Sequence, residues 1–317
     1  MPGVFYIQRS IFTMSITVSN LTKLYGTQKA VDNISFTINK GEIVGFLGPN
    51  GAGKSTTMKI ITGYLAANSG KAAVCGETVD TNSLSTKKKI GYLPEANPLY
   101  LDMYVREYLE FVAGVHGIQQ VKSKIESVIG TVGLKLEANK KIGQLSKGYK
   151  QRVGIAAALI HDPEVLILDE PTSGLDPNQI IEIRDVIKKL GKDKTVLFSS
   201  HILQEVEAIC DRVIIINRGN IVADDLLTNL QKANAGQQQV LVAFKESINI
   251  QELSTLNDVI AVKQLSTGQF QLSTNQPENV RKQLVELSLK NKLNIVSLQS
   301  ERNSLEDIFR NLTSANN

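Results

Sequence analysis

Short apolar runs, each bounded by glycine or polar residues, alternate with helical periodicity along the first two thirds of the chain. A short continuous apolar run is typical of a strand that is buried on both faces of a parallel sheet. The runs lie at residues 43–47, 165–168, 195–198 and 213–216. They predict an α/β fold, and the segments between residues 15 and 47 also predict antiparallel strands ahead of the first run.

A segment with helical spacing interrupts this α/β pattern at about residues 96–158. Apolar residues recur there at intervals of three and four, which places them on one face of a helix. They are Val105, Leu109, Val112 and Ala113, followed by Ile125, Val128, Ile129 and Val132. We predict a helical subdomain inside an α/β domain that spans residues 14–235. His116 and His161 have no partners at ligand spacing, and we expect both to be solvated surface residues.

The last third of the chain has a different pattern. Strand-like segments near residues 240–244, 259–264, 269–273 and 293–299 alternate with helices near 249–256 and 277–290. This βαββαβ order predicts a small C-terminal α+β domain of the ferredoxin-like type at residues 236–317. The polar stretch 231–239 predicts a linker. A last helix is predicted at 304–313, with Ser304 and Asp307 in capping positions. Its apolar stripe would pack either against its own domain or against a partner protein.

Composition narrows the class of protein without identifying an activity. The 317 residues allow two domains, and 42% hydrophobic with 21% charged residues is ordinary for a globular protein. The formal net charge of +4 is too small to indicate nucleic acid, so no such partner is expected. Cys75 and Cys210 indicate neither a disulfide framework nor a metal cluster. Residues 1–13 lack the features of a signal peptide, and we expect a disordered extension.

The first chemical motif follows the first apolar run. It fits the phosphate-binding loop G-x-x-x-x-G-K-[ST] and consists of Gly48, Pro49, Asn50, Gly51, Ala52, Gly53, Lys54, Ser55 and Thr56. Glycines let the backbone approach an anion, and the N–H groups of the loop and the following helix attract phosphate. Lys54 can neutralise phosphate charge, and the Ser55 hydroxyl is a suitable ligand for Mg²⁺. The motif predicts a site for a nucleotide and Mg²⁺.

Two carboxylates follow the run at residues 165–168, and a histidine follows the run at 195–198. Asp169 and Glu170 stand at the carboxyl end of a buried strand, where α/β sheets bind ligands. Because unpaired carboxylates are costly in a core, a metal or ligand role is favoured. We expect Asp169 to hold Mg²⁺ through water and Glu170 to orient an attacking water. His201 fits a ligand or a surface role equally well on spacing alone.

Between Lys54 and Asp169 lies Leu145–Arg152, with the sequence LSKGYKQR. With this signature, residues 15–235 resemble the ATP-binding subunit of an ATP-binding-cassette (ABC) transporter. The resemblance implies a phosphate-loop ABC ATPase fold with ATP and Mg²⁺ bound. It also implies that Tyr25, which on its own fits a core or edge position, stacks on adenine.

The resemblance implies further roles for individual residues. Lys54, Glu170 and His201 would be catalytic, and Glu95 would join Ser55 and Asp169 around Mg²⁺ and sense a permease. Ser146 and Gly148 would contact ATP that is bound by a second copy of the chain. The interface of this ATP-dependent homodimer would include Ser146, Lys147, Gly148 and Asp176.

The chain departs from the commonest family pattern at three positions. Glu95 replaces a glutamine, which adds a negative charge beside Mg²⁺, and Tyr149 replaces the glutamine of the signature. Lys147 replaces a glycine, and it could either assist γ-phosphate binding or sit at the rim of the interface. Similar variants occur among exporters, so we do not interpret them as inactivating.

The whole pattern predicts an ATPase subunit at the cytoplasmic face of the bacterial inner membrane. It would power export through a separate integral-membrane permease. The segment Gly91–Glu95 and the added C-terminal domain are similar to the exporter branch of the family, and overall similarity favours the gliding-motility type within it. The alternative is a non-transport ABC-type ATPase that acts on a soluble macromolecular partner.

Overall fold

The computed structural model describes residues 14–233, 238–301 and 305–314, and the predicted N-terminal extension lies outside them. The chain divides into two compact units between Asp224 and Asp225, a boundary that falls near the end of the last strand described with the first unit. Among the described residues, no helix combines the length and the apolar character needed to cross a bilayer. The first unit contains, in chain order, β1 (Met14–Tyr25), β2 (Gln28–Asn39), β3 (Ile43–Leu47), α1 (Lys54–Ile61), β4 (Ser69–Val74), β5 (Glu77–Thr78), α2 (Leu84–Lys89), β6 (Ile90–Leu93), α3 (Val105–Val115), α4 (Val121–Val132), a 3₁₀ turn (Ile142–Gln144), α5 (Lys147–Leu159), β7 (Val165–Leu168), α6 (Pro177–Leu190), β8 (Thr195–Ser200), α7 (Leu203–Ile209), β9 (Arg212–Asn217) and β10 (Asn220–Leu226).

Two sheets form the frame of this unit. The first has the order β2-β1-β4-β5, and its pairings are antiparallel as predicted. The second has the order β10-β9-β3-β8-β7-β6, and β3, β6, β7, β8 and β9 pair in parallel. The apolar residues of β7 and β8 are buried, as are those of β3 apart from the half-buried Ile43, which explains their continuous apolar sequences. The carboxyl ends of β3, β6, β7 and β8 share one edge, where a ligand site is expected.

The predicted helical insertion is present as α3, α4 and α5, between β6 and β7. Val105, Leu109 and Ala113 of α3 are buried, whereas Val112 is half-buried. All four predicted apolar residues of α4 are buried.

The second unit contains α8 (Leu227–Ala233), β11 (Gln238–Phe244), α9 (Ile250–Ser254), β12 (Val259–Ser266), β13 (Gln269–Thr274), α10 (Pro277–Lys290), β14 (Ile295–Glu301) and α11 (Leu305–Ser314). Its sheet has the order β12-β13-β11-β14 with antiparallel pairings, which confirms the ferredoxin-like topology. Strand β11 contributes Val240, Val242 and Phe244 to the core, because alternate residues face one side. The predicted linker is corrected: α8 and β11 occupy most of residues 231–239. The predicted cap Ser304 lies outside the described residues.

The prediction for the two early histidines was wrong. The rings of His116 and His161 stack with their centroids 4.0 Å apart and their planes 1° from parallel. His161 Nε2 lies 3.0 Å from the Ile90 carbonyl oxygen, and both residues are half-buried. Burial, aided by His116, lowers the pKa of His161 to about 4. Chain folding brings together two histidines that are far apart in sequence, which spacing alone does not reveal.

Candidate functional site

The phosphate loop connects β3 to α1 in a conformation that only glycine adopts readily. Gly51 and Gly53 have positive φ values of 78° and 111°. A Cβ on Gly48 would stand 2.4 Å from the Ile216 carbonyl oxygen, and one on Gly53 would stand 2.5 Å from the Ala30 carbonyl oxygen. No side chain caps the N-terminus of α1, and its first turn contains no acidic residue. The first N–H groups of α1 are therefore available to an anion.

Lys54, the first residue of α1, is buried beneath this loop. Its Nζ donates hydrogen bonds to the carbonyl oxygens of Gly48 at 2.7 Å and Pro49 at 3.2 Å. The same ammonium lies 3.3 Å from Glu170 Oε1. The loop thus holds a cation at its centre, where its charge can be shared with a bound phosphate.

Asp169 follows β7 and is 1% exposed. Its Oδ1 accepts hydrogen bonds from Ser55 Oγ at 3.1 Å and from Ser199 Oγ at 2.6 Å. Its Oδ2 is buried and accepts no hydrogen bond from any residue that the structure describes. A buried carboxylate oxygen without a donor is costly, so this atom needs a further partner.

Glu170 has a left-handed backbone, with φ at 50°, and its N–H donates to Ser199 Oγ at 2.9 Å. This conformation is unfavourable for a residue with a side chain and is common at functional sites. Besides the contact with Lys54, Glu170 Oε2 lies 2.8 Å from His201 Nδ1. Ser199 holds both carboxylate residues, and sequence reasoning missed it. The polar residues at the end of β8 were the available signal. The hydrogen bonds of Ser199 to Asp169 and Glu170, however, depend on the register between β7 and β8, which the sequence does not specify.

A cavity of about 320 Å³ opens above the loop. It is lined by Ala30, Asn50, Gly51, Gly53, Lys54, Ser55, Thr56, Glu95 and Glu170. The fold therefore brings Glu95, which follows β6, to the cavity at the phosphate loop, beside which the resemblance implies a role for it. The expected ligands Ser55, Asp169 and Glu95 all present oxygen, which Mg²⁺ prefers. The unpartnered Asp169 Oδ2 fits such an ion, whose other ligands would be water and phosphate.

Comparison with known proteins identifies the family. Residues 31–173 match the family model described as ABC transporter. The chain is 36% identical over 304 residues to the bacitracin transport ATP-binding protein BcrA of Bacillus licheniformis, covering 93% of this chain and 95% of BcrA. It is 36% identical over 306 residues to the linearmycin resistance ATP-binding protein LnrL of Bacillus subtilis, covering 94% and 98%. The Nod factor export ATP-binding protein I of Rhizobium sp. is 34% identical over 304 residues, with 95% and 97% covered.

This chain belongs to the ABC transporter family as an ATP-binding subunit. A dimeric ATP-binding cassette solved in a post-hydrolysis state with ADP and Pi has a TM-score of 0.61 and 26% identity. That comparison covers 67% of this chain and 98% of the cassette. The phosphate-loop ABC ATPase fold is confirmed, and the ABC subunit is an ATP-hydrolysing enzyme.

The signature residues of the ABC subunit lie at the start of α5. The Ser146 side chain caps this helix by accepting a hydrogen bond from the Tyr149 N–H at 3.3 Å. Asp176 caps α6 in the same way, through the Gln179 N–H at 2.9 Å. Among the described residues that line the cavity above the loop, none belongs to the signature. Tyr25 is also absent from that lining. It is 51% exposed at the end of β1, and Lys23 Nζ lies 5.6 Å from the centre of its ring.

A second cavity of the ABC subunit, of about 540 Å³, lies where β6 meets α3 and α5. Tyr92, Pro94 and Tyr108 line it together with His116 and His161. Tyr92 Oη and His161 Nδ1 are buried and have no hydrogen-bond partner among the described residues. Burial, together with the charge of Asp169, raises the pKa of Tyr92, so its hydroxyl stays protonated. Two residues that line this cavity therefore each carry a buried polar atom without a hydrogen-bond partner among the described residues.

Proposed function

We propose that this ABC subunit hydrolyses ATP to power export through a separate integral-membrane permease. The observation that carries this proposal is the cluster beside the phosphate loop, in which Lys54, Asp169 and Glu170 are buried and the more exposed His201 contacts Glu170. The reaction is ATP and water to ADP and phosphate. Mg²⁺, when bound by Ser55, Asp169 and Glu95, neutralises phosphate charge and orients the phosphate chain.

Each residue of the cluster has a defined task in this reaction. The loop N–H groups and Lys54 bind the β- and γ-phosphates, and Tyr25 stacks on adenine. Glu170 is hydrogen-bonded to His201 Nδ1, which leaves the carboxylate beside the phosphate loop to orient the attacking water. His201 keeps its Nε2 for the γ-phosphate. Most of the catalysis is positioning and electrostatic stabilisation by these preset groups.

A second copy of the chain completes the site. Ser146 and Gly148 stand outside the cavity of their own protomer, so we propose that they contact the γ-phosphate of ATP bound by the partner. The signature together with Asp176 then forms the interface of an ATP-dependent homodimer. Binding of ATP favours the closed dimer and loss of the γ-phosphate opens it. The dimeric cassette with ADP and Pi supports this arrangement by similarity.

The second cavity supports the link to a permease. Pro94 lines this cavity and the next residue, Glu95, lines the cavity above the phosphate loop. A permease segment that enters this cavity, which Tyr92 and His161 line, would press on the same short segment that holds Glu95. Occupation of the phosphate loop and movement of the permease are thereby coupled through two adjacent residues.

Export is supported by relatives named for bacitracin transport, linearmycin resistance and Nod factor export. A subunit of such an exporter would lie at the cytoplasmic face of the bacterial inner membrane. A role in gliding motility stays a prediction from overall sequence similarity, and the relatives named here do not include a motility protein. We favour a role in export over a motility function on this ground.

Affinity purification from detergent-solubilised membranes tests the proposal. We expect the tagged chain to capture a multi-spanning membrane protein, and this protein should stimulate phosphate release by the chain. A variant with Tyr92→Phe and His161→Phe should capture less of it while its basal hydrolysis is retained. Capture of a soluble macromolecule in place of a membrane protein would favour the alternative, a non-transport ATPase.

A further inference from the structure

The N-terminus of α5 meets the N-terminus of α6 and the loop before it along a seam of three contacts. A Cβ on Gly174 would stand 2.2 Å from Lys147 Nζ and 3.4 Å from Lys147 Cε. A Cβ on Gly148 would stand 2.8 Å from the Gln179 side chain. One turn further along α5, Arg152 forms an ion pair with Glu182 of α6. The signature therefore packs against α6 and its preceding loop within a single protomer.

The loop in this seam leads directly to Glu170. Ser173 N–H donates to the Glu170 carbonyl oxygen at 3.1 Å, and Leu175 N–H donates to the Thr172 carbonyl oxygen at 3.2 Å. These turns make residues 170–176 a compact unit that ends at the cap of α6. A displacement at Gly174 would therefore be transmitted to the backbone of Glu170, which already has a left-handed conformation.

The end of the Lys147 side chain occupies the position that a Cβ of residue 174 would take. Gly174 has φ at 68°, and because it lacks a side chain, the end of the Lys147 side chain can lie directly on its backbone. Lys147 is exposed and makes no hydrogen bond or ion pair with any described residue. The contact is therefore one of packing by the end of the lysine side chain, Nζ and Cε, against the backbone of Gly174. A glycine at position 147 would leave Gly174 uncovered.

We propose that Lys147 is a positioning residue that acts within its own protomer, by holding the loop of Gly174 so that Glu170 faces the attacking water. This proposal rests on the proposed function of Glu170. The alternative role is that the Lys147 ammonium binds the γ-phosphate of ATP in the partner protomer, for which its positive charge is suitable. The two roles make opposite predictions in two experiments.

The first experiment separates packing from charge. Lys147→Met keeps an unbranched side chain as far as Cε, the second atom near Gly174, and removes the charged Nζ, whereas Lys147→Gly removes the whole side chain. If Lys147 acts by packing, kcat should fall about tenfold or more in Lys147→Gly, because small displacements in a catalytic site are costly. KM and nucleotide affinity should change little, and Lys147→Met should restore kcat to within about threefold of the parent, a volume-conserving change of this kind being well tolerated. An equal loss in both variants would overturn the proposal.

The second experiment uses mixed dimers, purified through two different tags. In a dimer of one Glu170→Gln chain and one Lys147→Gly chain, the only intact Glu170 belongs to the protomer that lacks Lys147. We expect hydrolysis no higher than that of the Lys147→Gly homodimer. A symmetric dimer has two equivalent sites, so one intact site would give about half of the hydrolysis rate of the unmodified dimer. Recovery to that rate would show that Lys147 acts in the partner and would overturn the proposal.

A control dimer of one Glu170→Gln chain and one Ser146→Ala chain distinguishes the possible failures. Ser146 is proposed to act on the partner's ATP, so this dimer retains one complete site and should recover activity. Absence of recovery there would contradict the composite site of the proposed function, and the comparison of Lys147→Met with Lys147→Gly would still decide the role of Lys147. Absence of hydrolysis by the unmodified chain would refute the proposed function itself.

Discussion

Lys54 Nζ lies 3.3 Å from Glu170 Oε1, and both side chains are nearly buried, at 6% and 7% exposure. The proposed phosphate-binding cation and the proposed catalytic carboxylate are therefore ion-paired across the site. Such a pair is stable only while each charge has its partner. A γ-phosphate that binds Lys54 competes with Glu170 for the ammonium and thereby leaves the carboxylate to water. Under the proposed function, ATP binding would thus free the Glu170 carboxylate from Lys54 and allow it to contact water.

Replacing Lys54 should abolish turnover. In Lys54→Ala the phosphates lose their cation and Glu170 loses its partner. Transition-state stabilisation should therefore fall by several kcal/mol, as it does when other preorganised electrostatic groups are removed. This loss corresponds to a rate that is lower by roughly a thousandfold. Phosphate release measures this loss, and circular dichroism checks that the fold is retained. Lys59→Ala, a change of another lysine in α1 that lies outside the lining of the cavity, serves as the control. Turnover within about twofold of the parent would contradict the assignment of the site.

Glu170→Gln should convert a transient dimer into a lasting one. The amide cannot act as a base, whereas Lys54, Ser55 and the loop N–H groups still bind ATP. With the γ-phosphate intact, the partner's signature keeps its contact and the dimer stays closed. Light scattering should give the mass of a dimer with Mg-ATP and of a monomer with ADP. The control Glu207→Gln, at an exposed position of α7, should behave as the parent. Rapid hydrolysis by Glu170→Gln would remove this residue from the catalytic role.

Asp169→Asn should weaken nucleotide binding only when Mg²⁺ is present. The buried Oδ2 lacks a partner among the described residues, and the substitution removes the charge that Mg²⁺ requires. Titration with a fluorescent ATP analogue, in Mg²⁺ and in EDTA, should show about a tenfold or greater loss of the Mg²⁺-dependent part of the affinity. Asp193→Asn, at an exposed site, is the matched control. An equal loss in Mg²⁺ and EDTA would argue for a structural role.

The His116–His161 stack should make the first unit less stable in acid. Burial lowers the pKa of both rings, and that of His161 falls to about 4, while the unfolded chain binds a proton near the ordinary value of 6.5. Stability is therefore complete above about pH 6.5 and is lost as the pH falls towards 4, by at most about 1.4 kcal/mol per pH unit for each proton. Nearby charges also contribute: Lys88 lowers the pKa of His116. Lys194 lowers the pKa of His161, whereas Asp162 raises it.

Urea unfolding between pH 4.5 and 7.5 measures this dependence. His161→Phe retains a ring against His116 and removes one titrating group, so its unfolding free energy should depend less steeply on pH than that of the parent. Because the carboxylates titrate in both proteins, the difference between the two slopes isolates the histidine. Identical slopes would contradict the pKa shift of His161.

The residues of the phosphate site could be predicted from sequence because their information is local. Gly48 to Thr56 form one motif, and a backbone conformation available to glycine with an adjoining helix N-terminus specifies a phosphate site without reference to distant residues. Asp169 and Glu170 follow a buried strand, and parallel strands place their carboxyl ends at one edge of a sheet. The βαββαβ pattern fixed the second unit's topology for a similar reason, since alternation and strand order restrict the possible sheets.

Tertiary structure decided what depends on register and on packing between distant elements. Ser199 holds Asp169 and Glu170 only because β8 pairs with β7 in one register. The stack of His116 on His161, and the contact of Lys147 with Gly174, each join elements that have no common sequence pattern. The sequence by itself determined which chemical groups this ABC subunit carries and on which elements they lie. The distances between these groups, and the burial that gives them their electrostatic strength, arise only when the elements pack.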